Sequence, residues 1–247
     1  MSINGFVLYE GPSTLGGDGI VAILTLRSSN TKTGSIPQLW ILRADTEPHT
    51  AHRLGLDTAV CGGCRHARDG SCYVVLHRGP LSVYRTWKRG RYPDAGPGMV
   101  RVWQWLRLHQ PRAIRLGAYG DPVAIPFASM LPLFAAARVN GATLIGYTHQ
   151  WRSLKAYPWK GHLMASVDTP KERGLAARRG WRTFRTKLPG EAVDASEVVC
   201  PATTRGMTCN ACRACDGLAS PGRSSVVIDA HGAPYKVKRY SAGRASA

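Results

Sequence analysis

Hydrophobic positions change rhythm along this chain. The first 45 residues hold three short β-rich runs, FVLYE, IVAILTL and LWILR, separated by turns containing Gly, Pro and Ser. SSNTKTGS, residues 28–35, is a polar loop between two of them. Beyond residue 98 helical and strand patterns alternate. MVRVWQWLRLHQ repeats its apolar residues at helical spacing and ends before Pro111, AIRLGAY reads as a strand, and ASMLPLFAAARVNG reads as a helix closing at Asn140–Gly141. ATLIGYTH and HLMASVD are the next strands. PKERGLAARRG follows as a helix, with Pro170 suited to its first turn and Gly180 to its stop. WRTFRTK, EVVC and SSVVIDAHG complete the strands, and YKVKRYSAGRASA reads as a basic, frayed tail. Strands alternating with helices predict an α/β fold with parallel strands and crossover helices. The pattern leaves open whether the sheet is open or curls into a barrel. It divides the chain into a β-rich extension (1–54), an α/β body (55–199) and a C-terminal segment (200–247).

Charge changes this picture. The 247 residues carry 33 basic and 15 acidic side chains, a net +18. Residues 1–60 are near neutral, at 4 basic and 5 acidic, whereas residues 61–120 carry 11 and 2. Such an excess favours a polyanionic partner, nucleic acid above all. YRTWKRGRYP places Arg85, Lys88, Arg89 and Arg91 among Tyr84, Trp87 and Tyr92, a pattern for phosphate contact with base stacking. The same spacing also suits aromatics in the core under a solvated charged face. The opening MSINGFVLYEGPS lacks the basic start and apolar stretch of a secretory signal, and PVAIPFASMLPLFAAAR is broken by Pro126 and Pro132. The expectation is a cytoplasmic protein without a membrane span.

All seven cysteines fall into two groups. Cys61, Cys64 and Cys72 form C-x2-C-x7-C, and Cys200, Cys209, Cys212 and Cys215 form C-x8-C-x2-C-x2-C. An odd number without a signal argues against a disulfide framework and leaves metal, catalysis or burial. Two-residue gaps let successive thiolates turn toward one centre. A C-x2-C-x2-C run with a Cys-Pro, here Cys200–Pro201 upstream, suits a [4Fe-4S] cluster, with zinc as the alternative. The first group has three thiolates. His66 or His77 would complete a zinc site; otherwise a cluster there keeps one iron open. Pooling Cys61–Cys64 with a pair from the second group would strand three cysteines.

Three cysteines after an early strand, α/β alternation and four late cysteines resemble the radical S-adenosylmethionine enzymes over roughly residues 55–232. That resemblance implies a partial (β/α) barrel of about six parallel strands. It implies a three-cysteine [4Fe-4S] cluster whose open iron binds S-adenosylmethionine, an auxiliary cluster on the later cysteines, and an electron donor. The usual first motif of that superfamily is C-x3-C-x2-C, from which this chain departs. NTKTG, CGGC…CY, RGRYP and LGAYGDP also resemble uncharacterised cysteine-rich bacteriophage proteins, which would place the chain in a host cytoplasm.

GAYGDP ends the strand AIRLGAY, so Asp121 stands where parallel α/β folds bind ligands, and it corresponds under the resemblance to a cofactor-binding motif. As a plain turn, Gly-Asp-Pro would instead use Asp121 to cap the next helix. Thr148, His149, Asp168 and His231 end later strands, where a barrel mouth would lie. GPSTLGGD lacks the lysine of a phosphate-binding loop. Two functions follow: an iron–sulfur enzyme with radical chemistry on a nucleic acid or related substrate, or a non-enzymatic nucleic-acid-binding protein stapled by iron–sulfur or zinc.

Overall fold

The computed structural model describes residues 3–220 and 222–245. Its strands are β1 (Gly5–Pro12), β2 (Gly19–Thr25), β3 (Gln38–Arg43), β4 (Ala113–Tyr119), β5 (Thr143–Thr148), β6 (Met164–Val167), β7 (Thr183–Lys187), β8 (Glu197–Val199) and β9 (Ser225–Asp229). Its helices are α1 (Pro48–Arg53), α2 (Thr58–Cys61), α3 (Arg65–Asp69), α4 (Gly79–Lys88), α5 (Val100–His109), α6 (Phe127–Val139), α7 (Pro170–Arg178), α8 (Pro201–Thr204), α9 (Cys209–Cys212) and α10 (Pro234–Ala245). The strands form one nine-stranded sheet in the order β1-β2-β3-β4-β5-β6-β7-β9-β8. β1, β2 and β3 pair antiparallel, and every pairing from β3 onward is parallel. The sheet does not close on itself. The fold is therefore mixed α/β on a mostly parallel sheet, as the alternation of patterns predicts.

Local chemistry sets the boundaries. α5 stops where Gln110 turns left-handed, at φ 44°, just before Pro111. α7 begins at Thr169, whose hydroxyl accepts from the Glu172 amide at 3.0 Å while the Glu172 carboxylate accepts from the Asp168 amide at 2.8 Å. Alternation along β4 sends its two faces to different places. Ile114 and Leu116 are fully buried in the large core with Leu106 of α5 and Leu133 of α6. Ala113 joins a smaller apolar cluster with Ile36, Ile145, Cys209 and Cys215, and Arg115 faces the same side.

Two features depart from the sequence reading. YKVKRYSAGRASA, read as a frayed tail, supplies most of α10, although residues 246 and 247 lie outside the described residues. Tyr240 on this helix is buried, and its hydroxyl donates to the Thr186 carbonyl at 2.6 Å. Strand order also differs from chain order at one edge, because β9 inserts between β7 and β8. Arg185 on β7 spans β9 to make two bonds, of 2.8 and 2.6 Å, to Glu197 at the start of β8. Both side chains are buried, and the bidentate geometry satisfies the charge pair. Among the described residues no helix is long and apolar enough to cross a membrane.

Candidate metal centre and cavity

The first cysteine group lies in the connection from β3 to β4. Cys61 ends α2, Cys64 precedes α3, and Cys72 follows α3. Gly62 turns the chain between them at φ 55° and ψ −135°, a conformation open essentially to glycine alone. Gln150, just beyond β5, clamps this turn: its Nε2 donates to the Cys61 carbonyl at 3.0 Å and its Oε1 accepts from the Gly63 amide at 3.3 Å. Ser13 Oγ donates to the Ala59 carbonyl at 2.5 Å, so the loop rejected as a phosphate cradle holds α2 instead. The Cys72 amide donates to the His66 carbonyl at 3.0 Å, which folds the third cysteine back toward the first two. Burial pushes the Cys61 thiol well up, and the neighbouring charges of Cys64 and Cys72 push it further. Burial likewise raises Cys64, and raises Cys72 to about 11.

Of the two histidines weighed as a fourth ligand, His66 lines the cavity described below together with Cys64 and Cys72. His66 has each ring nitrogen engaged, Nδ1 with Ser71 Oγ at 2.8 Å and Nε2 with Asp168 Oδ2 at 3.1 Å. His77 is exposed ahead of α4 and does not line the cavity described below.

The second group is built from the C-terminal segment onto the same side of the sheet. Cys200 follows β8 and its amide donates to Val227 of β9 at 2.8 Å. The polar loop 28–35 receives α9: the amides of Cys209 and Asn210 donate to the carbonyls of Lys32 and Thr33 at 3.0 and 3.1 Å. The Cys215 carbonyl accepts from Gly146 of β5 at 3.0 Å, and Arg182 holds the adjoining turn through the Ala214 carbonyl and Asp216, each at 2.7 Å. Burial raises the Cys215 thiol strongly, and the charges of Cys200, Cys209 and Cys212 add to it. The four thiols thus stand within electrostatic reach of one another.

Both groups open on one cavity of about 400 Å³. Cys64 and Cys72 line it from one side, and Cys200, Cys209, Cys212 and Cys215 from the other. Its floor is the inward face of the parallel strands, including Arg115, Tyr147, Ser166 and Phe184, and Lys236 and Tyr240 of α10 cover it. A second cavity of about 330 Å³ shares Cys64, His149 and Ser166 with the first and continues to Arg65, Arg152, Asp168 and Glu172. Among the described residues, no three His, Cys, Asp or Glu side chains converge tightly enough to hold a single metal ion.

Asp121 is buried against the first cysteine connection, its amide donating to the Val60 carbonyl at 2.7 Å. Its carboxylate accepts from Thr148 Oγ1 at 2.7 Å, the His149 amide at 2.8 Å and the Val123 amide at 3.1 Å. It thereby ties the ends of β4 and β5 to that connection, and does not line either cavity. Burial raises its pKa, offset in part by His149 and by these bonds. Asp168 joins the site through His66 and through Tyr240, 3.3 Å from its Oδ1. His231 lines the larger cavity.

Arg85, Lys88, Arg89 and Arg91 lie on or just after α4, away from both cavities. Arg85 pairs with Glu47 at 2.9 Å, and Lys88 lies 4.5 Å from the Trp87 ring centroid. Tyr84 and Tyr92 are buried in the core, so these rings are not free to stack on bases. Gln150, Ser71, Tyr73, Arg115 and Tyr240 were not singled out from sequence. Arg115 alone carried a signal, as the one charge in the apolar strand AIRLGAY.

No family model, curated protein or solved structure matches the chain.

Proposed function

We propose that the chain is an iron–sulfur protein with radical S-adenosylmethionine-like chemistry, acting on a nucleic acid or related substrate. One observation carries the reading: Cys61, Cys64 and Cys72 stand close enough to influence one another, Cys64 and Cys72 line the cavity, and both ring nitrogens of the nearby His66 are engaged with Ser71 and Asp168. These three thiols would hold a [4Fe-4S] cluster with one iron free of protein ligands, and Cys200, Cys209, Cys212 and Cys215 would hold a second. Such clusters supply one-electron chemistry, and an open iron supplies a coordination position as well. Thiolates suit this group, and they suit zinc as well; among the described residues no three side chains converge on a single metal ion.

The sheet supports the same reading. Parallel strands run in chain order from β3 to β7, the cysteine connection follows the first of them, and the cavity lies on their inward face. We take this run, completed by β9, as a partial barrel of about six strands, with β1 and β2 as the extension.

In this arrangement the chain's own residues do three things. Gln150 and Gly62 fix the turn between the first two thiols. Asp168 and Ser71 engage both ring nitrogens of His66. Burial raises the free thiols, so their deprotonation on cluster assembly would release protons. The test is electron paramagnetic resonance of the anaerobic, reduced protein with and without S-adenosylmethionine. The expected result is a changed cluster signal, followed by release of 5′-deoxyadenosine. An unchanged signal in protein with a loaded first site would refute an open iron.

A further inference from the structure

The fold pairs its buried arginines with carboxylates. Arg43 bonds Asp18 and Asp45, Arg182 bonds Asp216, and Arg185 bonds Glu197, each within 2.8 Å. The larger cavity breaks this rule. Among the described residues no Asp or Glu lines it, yet Arg115, Arg213, Lys236 and Lys32 do. The Arg115 guanidinium has one neutral partner, the Tyr73 hydroxyl at 2.8 Å. Arg213, held left-handed at φ 55°, leaves its buried Nε without a partner among the described residues. Lys236 donates to the Val74 carbonyl at 2.7 Å. Cations turned on a low-dielectric space that offers thiols but no carboxylate are balanced either by thiolate charge or by an anion from outside.

Two further features narrow its chemistry. A guanidinium fork matches phosphate oxygens in a bidentate way. On the same cavity floor Tyr147 and Phe184 stack at 4.4 Å between centroids, presenting aromatic surface of the kind on which bases stack. We propose that this cavity binds one nucleotide unit, its phosphate on Arg115 and Arg213 and its base against the Tyr147–Phe184 rings. The unit is a free nucleotide or the end of a single strand. This deepens the reading above by naming the substrate class, and it rests on that reading only for the reaction that follows binding.

The competing use of Arg115 is to offset thiolate charge, since Cys209 stands near it. Calorimetric titration of the full chain, purified anaerobically with its metal, separates the two. The ligands are the four nucleoside 5′-monophosphates, the matching nucleosides, and a short single-stranded oligonucleotide with a terminal phosphate. A monophosphate or the oligonucleotide should bind at least about tenfold more tightly than the nucleoside, and the tighter of the two identifies the source. Arg115→Met should weaken that binding about tenfold to a hundredfold, the range of a lost charged hydrogen bond, with iron and sulfide unchanged. Should Arg115→Met fail to fold, Arg213→Met on the α9 turn tests the same phosphate contact. Absence of binding by all phosphorylated ligands, equal affinity for nucleoside and nucleotide, or loss of iron in folded Arg115→Met would overturn the inference. Nucleotide binding by protein free of iron and sulfide would keep it and end the iron–sulfur reading; loaded clusters without nucleotide binding would do the reverse.

Discussion

Replacing Gly62 with alanine should damage the first cysteine site and spare the second. At φ 55° and ψ −135° a side chain strains the backbone by about 1–3 kcal/mol. The new Cβ would also fall 2.7 Å from the Gln150 carboxamide carbon and oxygen. That carboxamide ends a flexible side chain, so it rotates away and relieves the clash. In doing so it gives up its bonds to the Cys61 carbonyl and the Gly63 amide, worth about 1 kcal/mol each. The sum is about 3–5 kcal/mol, concentrated on one turn. Gly62→Ala should therefore lose about half the iron of the wild-type protein in anaerobic metal analysis. Gln150→Ala keeps the glycine and should lose less, because only the two bonds, about 2 kcal/mol, are removed. The double variant should fall short of additivity, since the Gln150 bonds can be lost only once. Wild-type iron content in Gly62→Ala would refute the claim that this turn sets the first site.

Other outcomes follow from the same geometry. Cys209→Ser or Cys212→Ser should remove about half the iron, with the remaining cluster signal still responsive to S-adenosylmethionine; total iron loss would show that the two groups form one site. His66→Ala and His77→Ala should each retain the first cluster, and loss in either variant would identify a ligand. Neutralising Arg85, Lys88, Arg89 and Arg91 together should weaken nucleic-acid binding and flatten its salt dependence, by about 0.7–0.9 in log–log slope for each phosphate contact removed. An unchanged slope would leave α4 as a solvated face.

Much of the fold was legible because local pattern determined it. AIRLGAY became β4 residue for residue, and Pro170 and Gly180 bracket α7 as their conformations require. The order β7-β9-β8 was not legible, since pairing joins residues distant in sequence and the alternation along EVV and SVVID is the same for either neighbour. α10 was missed because its basic residues fall all around the helix, and its order comes from Tyr240 and from Arg244, which pairs with Glu191 at 2.6 Å. Spacing grouped the cysteines. It could not show that both groups face one cavity, because the NTKTG loop, Gly146 and Arg182 assemble the second group through tertiary hydrogen bonds. The Gln150 clamp and the carboxylate-free cavity were hidden for the same reason. Asp121, read at the end of β4, lies just beyond that strand, and its bonds to Thr148 and His149 join residues too far apart in sequence for spacing to reveal them.

Iron and acid-labile sulfide in freshly purified anaerobic protein test the central claim most directly. The account predicts brown protein with iron and sulfide in equal amounts, about eight of each per chain when both [4Fe-4S] sites are filled. Stoichiometric zinc without sulfide would contradict it.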